Sequence, residues 1–179
     1  MQKWQRLSTE IAYDSRYFRV KKDLVKIPDG SEIEWTYWDS PDSAMVIGMT
    51  AEKKLVTIRQ YRYLTGQVVT EFPSGRIEEG ETPRDCARRE FEEETGYAIT
   101  GALMELGSFY ETYGQLNRRI HFFFANEITE GKQKLDPEEE IEIGFVSLDE
   151  AVRMAENNEL ISTPSALIIL LLNQKLANK

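Results

Sequence analysis

The sequence predicts an α/β fold: a mixed sheet with a few helices, preceded by an antiparallel β-hairpin region. Three observations predict it. Short runs of alternating or continuous apolar character recur along the chain, each bounded by turn residues. Two helix starts, Thr82-Pro83 and Ser147-Leu148-Asp149-Glu150, stand far apart with strand-like runs between them. Near the N-terminus, Pro28-Asp29-Gly30 separates two further strand-like runs.

Taken in order, runs 17–27 and 31–38 flank Pro28-Asp29-Gly30, and Asp-Gly in that place reads as a hairpin turn. Ile33, Trp35 and Tyr37 alternate with polar residues, so one face of the second strand is apolar. Two central strands are expected at 43–49 and 54–59, and run 68–72 leads into a helix at 83–95. There Thr82 is the N-cap, Pro83 takes the first helical position, and Asp85 suits the positive end of the helix. Gly96 tolerates the left-handed conformation that stops a helix. Strands are expected at 102–110, 119–128 and 141–146. A capping box at 147–150 opens a helix over 149–157, and Thr163-Pro164 caps a last, buried helix over 164–177. The expected division is a hairpin region over 1–40 and a second domain over 41–179.

A chain of 179 residues has room for one domain with a good core. Its 41% hydrophobic and 30% charged residues are ordinary for a soluble globular protein. The net charge of −9 argues against non-specific nucleic-acid binding, which needs a basic surface. A phosphate substrate stays compatible if a divalent ion bridges it to an acidic site. Cys86 is the one cysteine, so an intramolecular disulfide is excluded, which is compatible with the cytoplasm. It lies inside the first helix and reads as a small packing residue. His121, the one histidine, sits in an apolar strand, so Ser-His or multi-His metal chemistry has little support. The polar start MQKWQRLSTE shows no signal peptide, and the apolar run 166–172 is too short to span a membrane.

The chemistry concentrates in residues 75–97, GRIEEGETPRDCARREFEEETGY. Glu90 lies four residues before Glu94 and three before Glu93, so all three fall on one helix face. Ala87 and Phe91 form an apolar stripe beside them. Carboxylates gathered this way repel one another unless a cation sits among them, and hard oxygen ligands suit Mg²⁺ or Mn²⁺. Arg89 precedes Glu93 by four residues and can orient it. A run such as Glu92-Glu93-Glu94 alone is usually a solvated helix face. Its register with Gly75, Glu81, Arg89 and Gly96 favours a functional reading.

That segment fits G-x5-E-x7-R-E-U-x-E-E-x-G-U, U being bulky apolar or aromatic, at every fixed position. It resembles the box of the Nudix hydrolases, which cleave nucleoside diphosphates linked to another group. The resemblance implies the Nudix α/β/α sandwich. It also implies that the Ser74 backbone carbonyl, Glu90, Glu94 and Glu93 hold the metal, with Glu81 supporting them.

The resemblance extends to Gln60-Tyr61-Arg62 and Glu71-Phe72-Pro73-Ser74-Gly75, which are similar to ADP-ribose pyrophosphatases and related nucleoside-diphosphate-sugar hydrolases. By position it implies Arg62 at a substrate phosphate or ribose and Glu71 near the nucleoside. Trp35 or Trp38 would stack on a base; hairpin packing or dimer burial is the alternative for both. Together with the hairpin, the resemblance implies a homodimer in which this region crosses to the second subunit. The loop before the last strand, Asp136-Pro137-Glu138-Glu139-Glu140, would supply a further glutamate as metal ligand or general base. Glu139 is the best placed, with Glu138 and Glu140 open. One departure stands out: Tyr113 occupies the place where this subgroup carries proline, and a tyrosine there is more typical of dinucleoside polyphosphate hydrolases. The expected function is Mg²⁺-dependent hydrolysis of a nucleoside diphosphate sugar, ADP-ribose to AMP and ribose 5-phosphate first. Dinucleoside polyphosphates, GDP- or UDP-sugars, and a non-catalytic binding module are the alternatives.

Overall fold

The computed structural model describes residues 2–135 and 137–178. Along the chain, β1 (Gln5–Asp14), β2 (Arg19–Lys26) and β3 (Glu32–Asp39) come first. Next are β4 (Ser43–Gly48), β5 (Leu55–Arg62), β6 (Gln67–Glu71) and β7 (Ser74–Arg76), which lead to α1 (Pro83–Thr95). β8 (Tyr97–Ile99), β9 (Met104–Tyr110), β10 (Arg119–Ala125), β11 (Ile128–Glu130) and β12 (Ile141–Val146) follow, then α2 (Leu148–Glu156) and α3 (Thr163–Ala177). These residues form two units, Met1–Asp42 with Tyr110–Arg119, and Ser43–Phe109 with Ile120–Lys179.

In the first unit β1, β2 and β3 form an antiparallel sheet. The expected hairpin turn is present: Gly30 has φ +92°, and the Asp29 carboxylate accepts the Ser31 N–H at 2.9 Å. The Ser31 hydroxyl, and then that N–H, hold Asp29 below the usual carboxylate range. Strand β1 is an addition to the expected layout. All ten of its residues are exposed, so it carries no burial pattern to read. Polar cross-strand contacts align it instead, including Thr9 Oγ1 to Asp23 Oδ1 at 2.7 Å and Lys22 Nζ at 3.3 Å from both Glu10 and Glu34. Segment 110–119 joins this unit through Trp38, whose N–H donates to the Gln115 carbonyl at 2.7 Å.

In the second unit β4 is buried along its whole length and pairs in parallel with β10, from Ser43↔Ile120 to Gly48↔Ala125. A strand covered on both faces reads as a continuous apolar run, as this one does. Ala44 and Val46 point into a cluster with Cys86, Ala87, Phe91 and Phe123. Met45 and Ile47 point the other way, against Phe122, Phe124, Ile168, Ile169 and Leu172. Helix α1 therefore covers one face of this sheet, and α2 with α3 the other: an α/β/α sandwich. The sheet order is β7-β4-β10-β9, and β12-β5-β6 forms a second, antiparallel sheet.

Helix α1 has the predicted limits. Thr82 Oγ1 accepts the Asp85 N–H at 3.2 Å, and Gly96 ends the helix at φ +74°. Two details differ from expectation. The last helix begins at Thr163, with Ser162 as its N-cap and no side-chain capping bond. Pro164 needs no N–H partner anywhere in the first turn, so it does not mark the boundary to one residue. The run 119–128 breaks into β10 and β11, and the Glu127 carbonyl between them accepts the Thr100 N–H at 3.0 Å. Among the described residues no helix is long and apolar enough to cross a membrane.

Phe91 anchors α1 at zero exposure, and a Cβ added to Gly48 would overlap its ring. Phe91→Ala is expected to cost roughly 3–5 kcal/mol in urea unfolding. A loss below about 1 kcal/mol would show that α1 is held by something other than this contact.

Candidate active site

The site in the second unit is built where edge strand β7 meets α1. The Pro73 carbonyl accepts the Val46 N–H at 3.0 Å, and β7 continues antiparallel to β4. Ser74 is the next position, so its N–H and C=O point away from β4. The N–H donates to Glu94 Oε2 at 3.0 Å, and the carbonyl faces the same side. At Gly75 an added Cβ would overlap the Glu90 carboxylate. Only glycine lets this backbone lie so close to that side chain.

Arg89 organises the remaining carboxylates. Its Nε and Nη2 donate to the two oxygens of Glu81 at 2.9 and 3.0 Å, a bidentate pair. Its Nη1 donates to Glu90 Oε1 at 2.7 Å and Glu93 Oε2 at 3.0 Å, and Nη2 also reaches the Arg76 carbonyl at 3.0 Å. One guanidinium thus ties three glutamates to the turn that precedes the helix.

The electrostatics follow from these contacts. The Arg89 hydrogen bonds hold Glu81 below the usual carboxylate range. Burial raises Glu90, with Arg89 opposing and the charges of Glu93 and Glu139 adding to the rise. Glu94, only 4% exposed, is raised well above the ordinary value by burial and then by the charge of Glu90, with the Ser74 N–H opposing. Cys86 is fully buried, and burial pushes its thiol up to about 12, which makes it inert as a nucleophile at neutral pH.

The three glutamates of the acidic loop differ in exposure. Glu139 is half-buried while Glu138 and Glu140 are exposed, and the charge of Glu139 bears on both Glu90 and Glu94. Asp136, the first residue of that segment, lies outside the described residues. Arg62 Nε donates to the buried Glu71 Oε1 at 2.6 Å, and its charge also bears on Glu94. Ser74, Glu90, Glu93, Glu94, Glu139, Arg89, Arg62 and Glu71 therefore share one neighbourhood. Trp35 and Trp38 belong to the first unit, where Trp35 stands edge-on to Trp4 at 5.8 Å and Trp38 tilts against Phe18 at 5.7 Å. Tyr113 also belongs there and is 86% exposed. Sequence reasoning missed Gln133, which donates to the Glu94 carbonyl at 2.6 Å from 39 residues away. No local pattern marks a contact of that range.

The donor set fits a hard divalent cation: carboxylate and carbonyl oxygens, with a glycine leaving room for one of them. Among the described residues no three Asp, Glu, His or Cys side chains converge as a ready-made cage. Arg89 and the Ser74 N–H hold the carboxylates one by one instead.

Two outcomes are expected. Gly75→Ala displaces Glu90 and should abolish the rise in melting temperature on adding MgCl₂, while the circular dichroism spectrum stays native. The second concerns pH. With no metal bound, raised pKa values make Glu90 and Glu94 bind more protons folded than unfolded, so their contribution to stability falls as pH rises above the ordinary carboxylate range. A cation that takes the deprotonated forms offsets that loss. The Mg²⁺-induced melting shift should therefore be larger at about pH 7.5 than at about pH 5; an equal shift at both would disconnect it from these glutamates.

Comparison with known proteins gives the family and the fold. The family model of the NUDIX domain matches residues 39–165. The chain is 32% identical over 171 residues to an ADP-ribose pyrophosphatase of Bacillus subtilis (strain 168), covering 94% of this chain and 92% of that one. It is 30% identical over 165 residues to the methanol dehydrogenase activator of Bacillus methanolicus, covering 91% and 89%. Among solved structures, the crystal structure of an ADP compounds hydrolase matches with a TM-score of 0.87 at 20% identity, over 99% of this chain and 96% of that one, a likeness of fold. Nudix hydrolases generally use divalent metal ions. With the box in register and the match running through most of its length, the chain belongs to the Nudix family of pyrophosphohydrolases.

Proposed function

We propose that this chain hydrolyses the pyrophosphate bond of a nucleoside diphosphate sugar, with ADP-ribose giving AMP and ribose 5-phosphate as the first candidate. The observation that carries the reading is the oxygen cluster of Ser74, Glu90 and Glu94, cradled at Gly75. The identity to an ADP-ribose pyrophosphatase, spread over 94% of the chain, directs it to this substrate class.

The Ser74 carbonyl, Glu90, Glu94, Glu93 and Glu139 would hold Mg²⁺ or Mn²⁺. When bound, the ion offsets charge on the pyrophosphate and lowers the pKa of water. The chain's own residues do the rest. Arg89 keeps Glu90 and Glu93 aimed at the site. Glu139 takes the proton from the attacking water or positions it. Arg62, aligned by Glu71, meets a substrate phosphate or ribose hydroxyl. Trp35 or Trp38 offers a face for the base. In this reading the protein acts as a cytoplasmic homodimer joined through residues 1–40. Whichever of Trp35 and Trp38, at 41% and 51% exposure, does not meet the base suits burial against a second copy.

Tyr113 favours a second reading, a dinucleoside polyphosphate or another sugar nucleotide as preferred substrate. Its ring is free to meet a ligand at 86% exposure. A chromatographic panel with Mg²⁺ separates the two: ADP-ribose, ADP-glucose, GDP-mannose, UDP-glucose and diadenosine polyphosphates. Fastest release of AMP from ADP-ribose supports the first reading; a dinucleoside polyphosphate cleaved faster replaces it with the second. Glu94→Gln should lower kcat by at least about 100-fold at a native melting temperature. Near-normal turnover in that variant would sink the metal assignment.

A further inference from the structure

A helix leaves its last four carbonyls without partners of its own. At the C-terminus of α1 the Gly96 N–H meets the Glu92 carbonyl at 2.8 Å, a local cap. The next two carbonyls are met from far along the chain. The Lys134 N–H donates to the Glu93 carbonyl at 2.9 Å, and Gln133 Nε2 donates to the Glu94 carbonyl at 2.6 Å. Both tied carbonyls belong to residues of the candidate site.

The Gln133 amide has a second donor, and it reaches the Ile141 carbonyl at 3.2 Å. Both partners are carbonyls, so the NH₂ group must face them. Ile141 opens β12 and pairs with Gln60 of β5. One side chain therefore joins the end of the glutamate helix to the start of β12. The chain between Gln133 and Ile141 carries Glu139. The close docking also uses two glycines. A Cβ on Gly96 would stand 2.6 Å from the Gln133 backbone nitrogen, and one on Gly131 would stand 2.6 Å from the Gly96 carbonyl oxygen. Gly96 thus serves the approach of this segment as well as its own left-handed backbone.

We propose that Gln133 is a positioning residue for hydrolysis, closing the base of the loop that carries Glu139 and setting that carboxylate's distance from Glu90 and Glu94. This rests on the reading in which Glu139 acts on the attacking water. Losing the staple also lowers stability, because the Glu94 and Ile141 carbonyls it serves belong to buried residues. What is lost is the alignment of Glu139, and misplacement of a reacting group by about 1 Å costs about 100-fold in rate.

The test is a double-mutant cycle on the full chain with MgCl₂ and the panel's fastest-cleaved substrate. Gln133→Met keeps the length and removes both donors. It should lower kcat roughly 10- to 100-fold with KM within about threefold, with a lowered melting temperature but a native circular dichroism spectrum at the assay temperature. In a Glu139→Gln background the same substitution should cost less than about threefold further. Equal losses in both backgrounds, or unchanged kcat in Gln133→Met, overturn the proposal while leaving the role of Glu139 intact. Full activity in Glu139→Gln overturns the role of Glu139 and the proposal with it. If Gln133→Met does not fold, Gln133→Asn, which keeps the amide but draws its donors back by one methylene, replaces it under the same criteria.

Discussion

Glu90 and Glu94 lie one helical turn apart, largely out of water, and the charge of Glu90 adds to the cost of ionising Glu94. Much of the second unit answers that cost. Arg89 shares its guanidinium among Glu81, Glu90 and Glu93. The Ser74 N–H takes Glu94 from the opposite side. Each response depends on a different element being in place: the turn before α1 for Glu81, the edge strand β7 for Ser74, the helix itself for Arg89. Removing one partner would leave a buried carboxylate uncompensated, which is far more costly than a lost surface ion pair.

The same helix supplies its own foundation. Cys86, Ala87 and Phe91 are fully buried against Ala44, Val46 and Phe123, while Glu90, Glu93 and Glu94 occupy the neighbouring stripe. Burial of the apolar stripe sets the rotation of α1 about its axis, and that rotation decides which carboxylates meet β7. Two glycines permit the approach, at adjacent residues of α1. Gly48 makes room for the Phe91 ring and Gly75 for the Glu90 carboxylate. Core and site are thus faces of one packing problem, and a shift in either would be felt in the other.

The remaining groups arrive from well outside the box. Glu71 is buried and holds Arg62, both from the β5–β6 hairpin, and Ser165 of α3 accepts the Phe72 N–H at 3.3 Å. That last bond steadies the strand exit that aims Ser74. Gln133 and Lys134 then join the helix end to the loop that bears Glu139. Such long-range polar contacts are worth most where water is excluded, which is the environment around Glu94.

What could be read from the sequence was local. The limits of α1 follow from Thr82, Pro83 and Gly96, and the hairpin from Asp29-Gly30. The gathering of Glu90, Glu93 and Glu94 follows from helical spacing alone. Strand β1 was not legible because its residues, all exposed, gain their order from pairing with β2, not from burial. Nor was the membership of 110–119 in the first unit, which rests on backbone bonds to Trp38. The partial burial of Glu139 between two exposed glutamates, the Gly75 cradle and the Gln133 staple also belong to the tertiary structure. Caps, turns and helical spacing act over a few residues and are written in order along the chain. Distances between side chains 20 to 40 positions apart exist only after the core has packed.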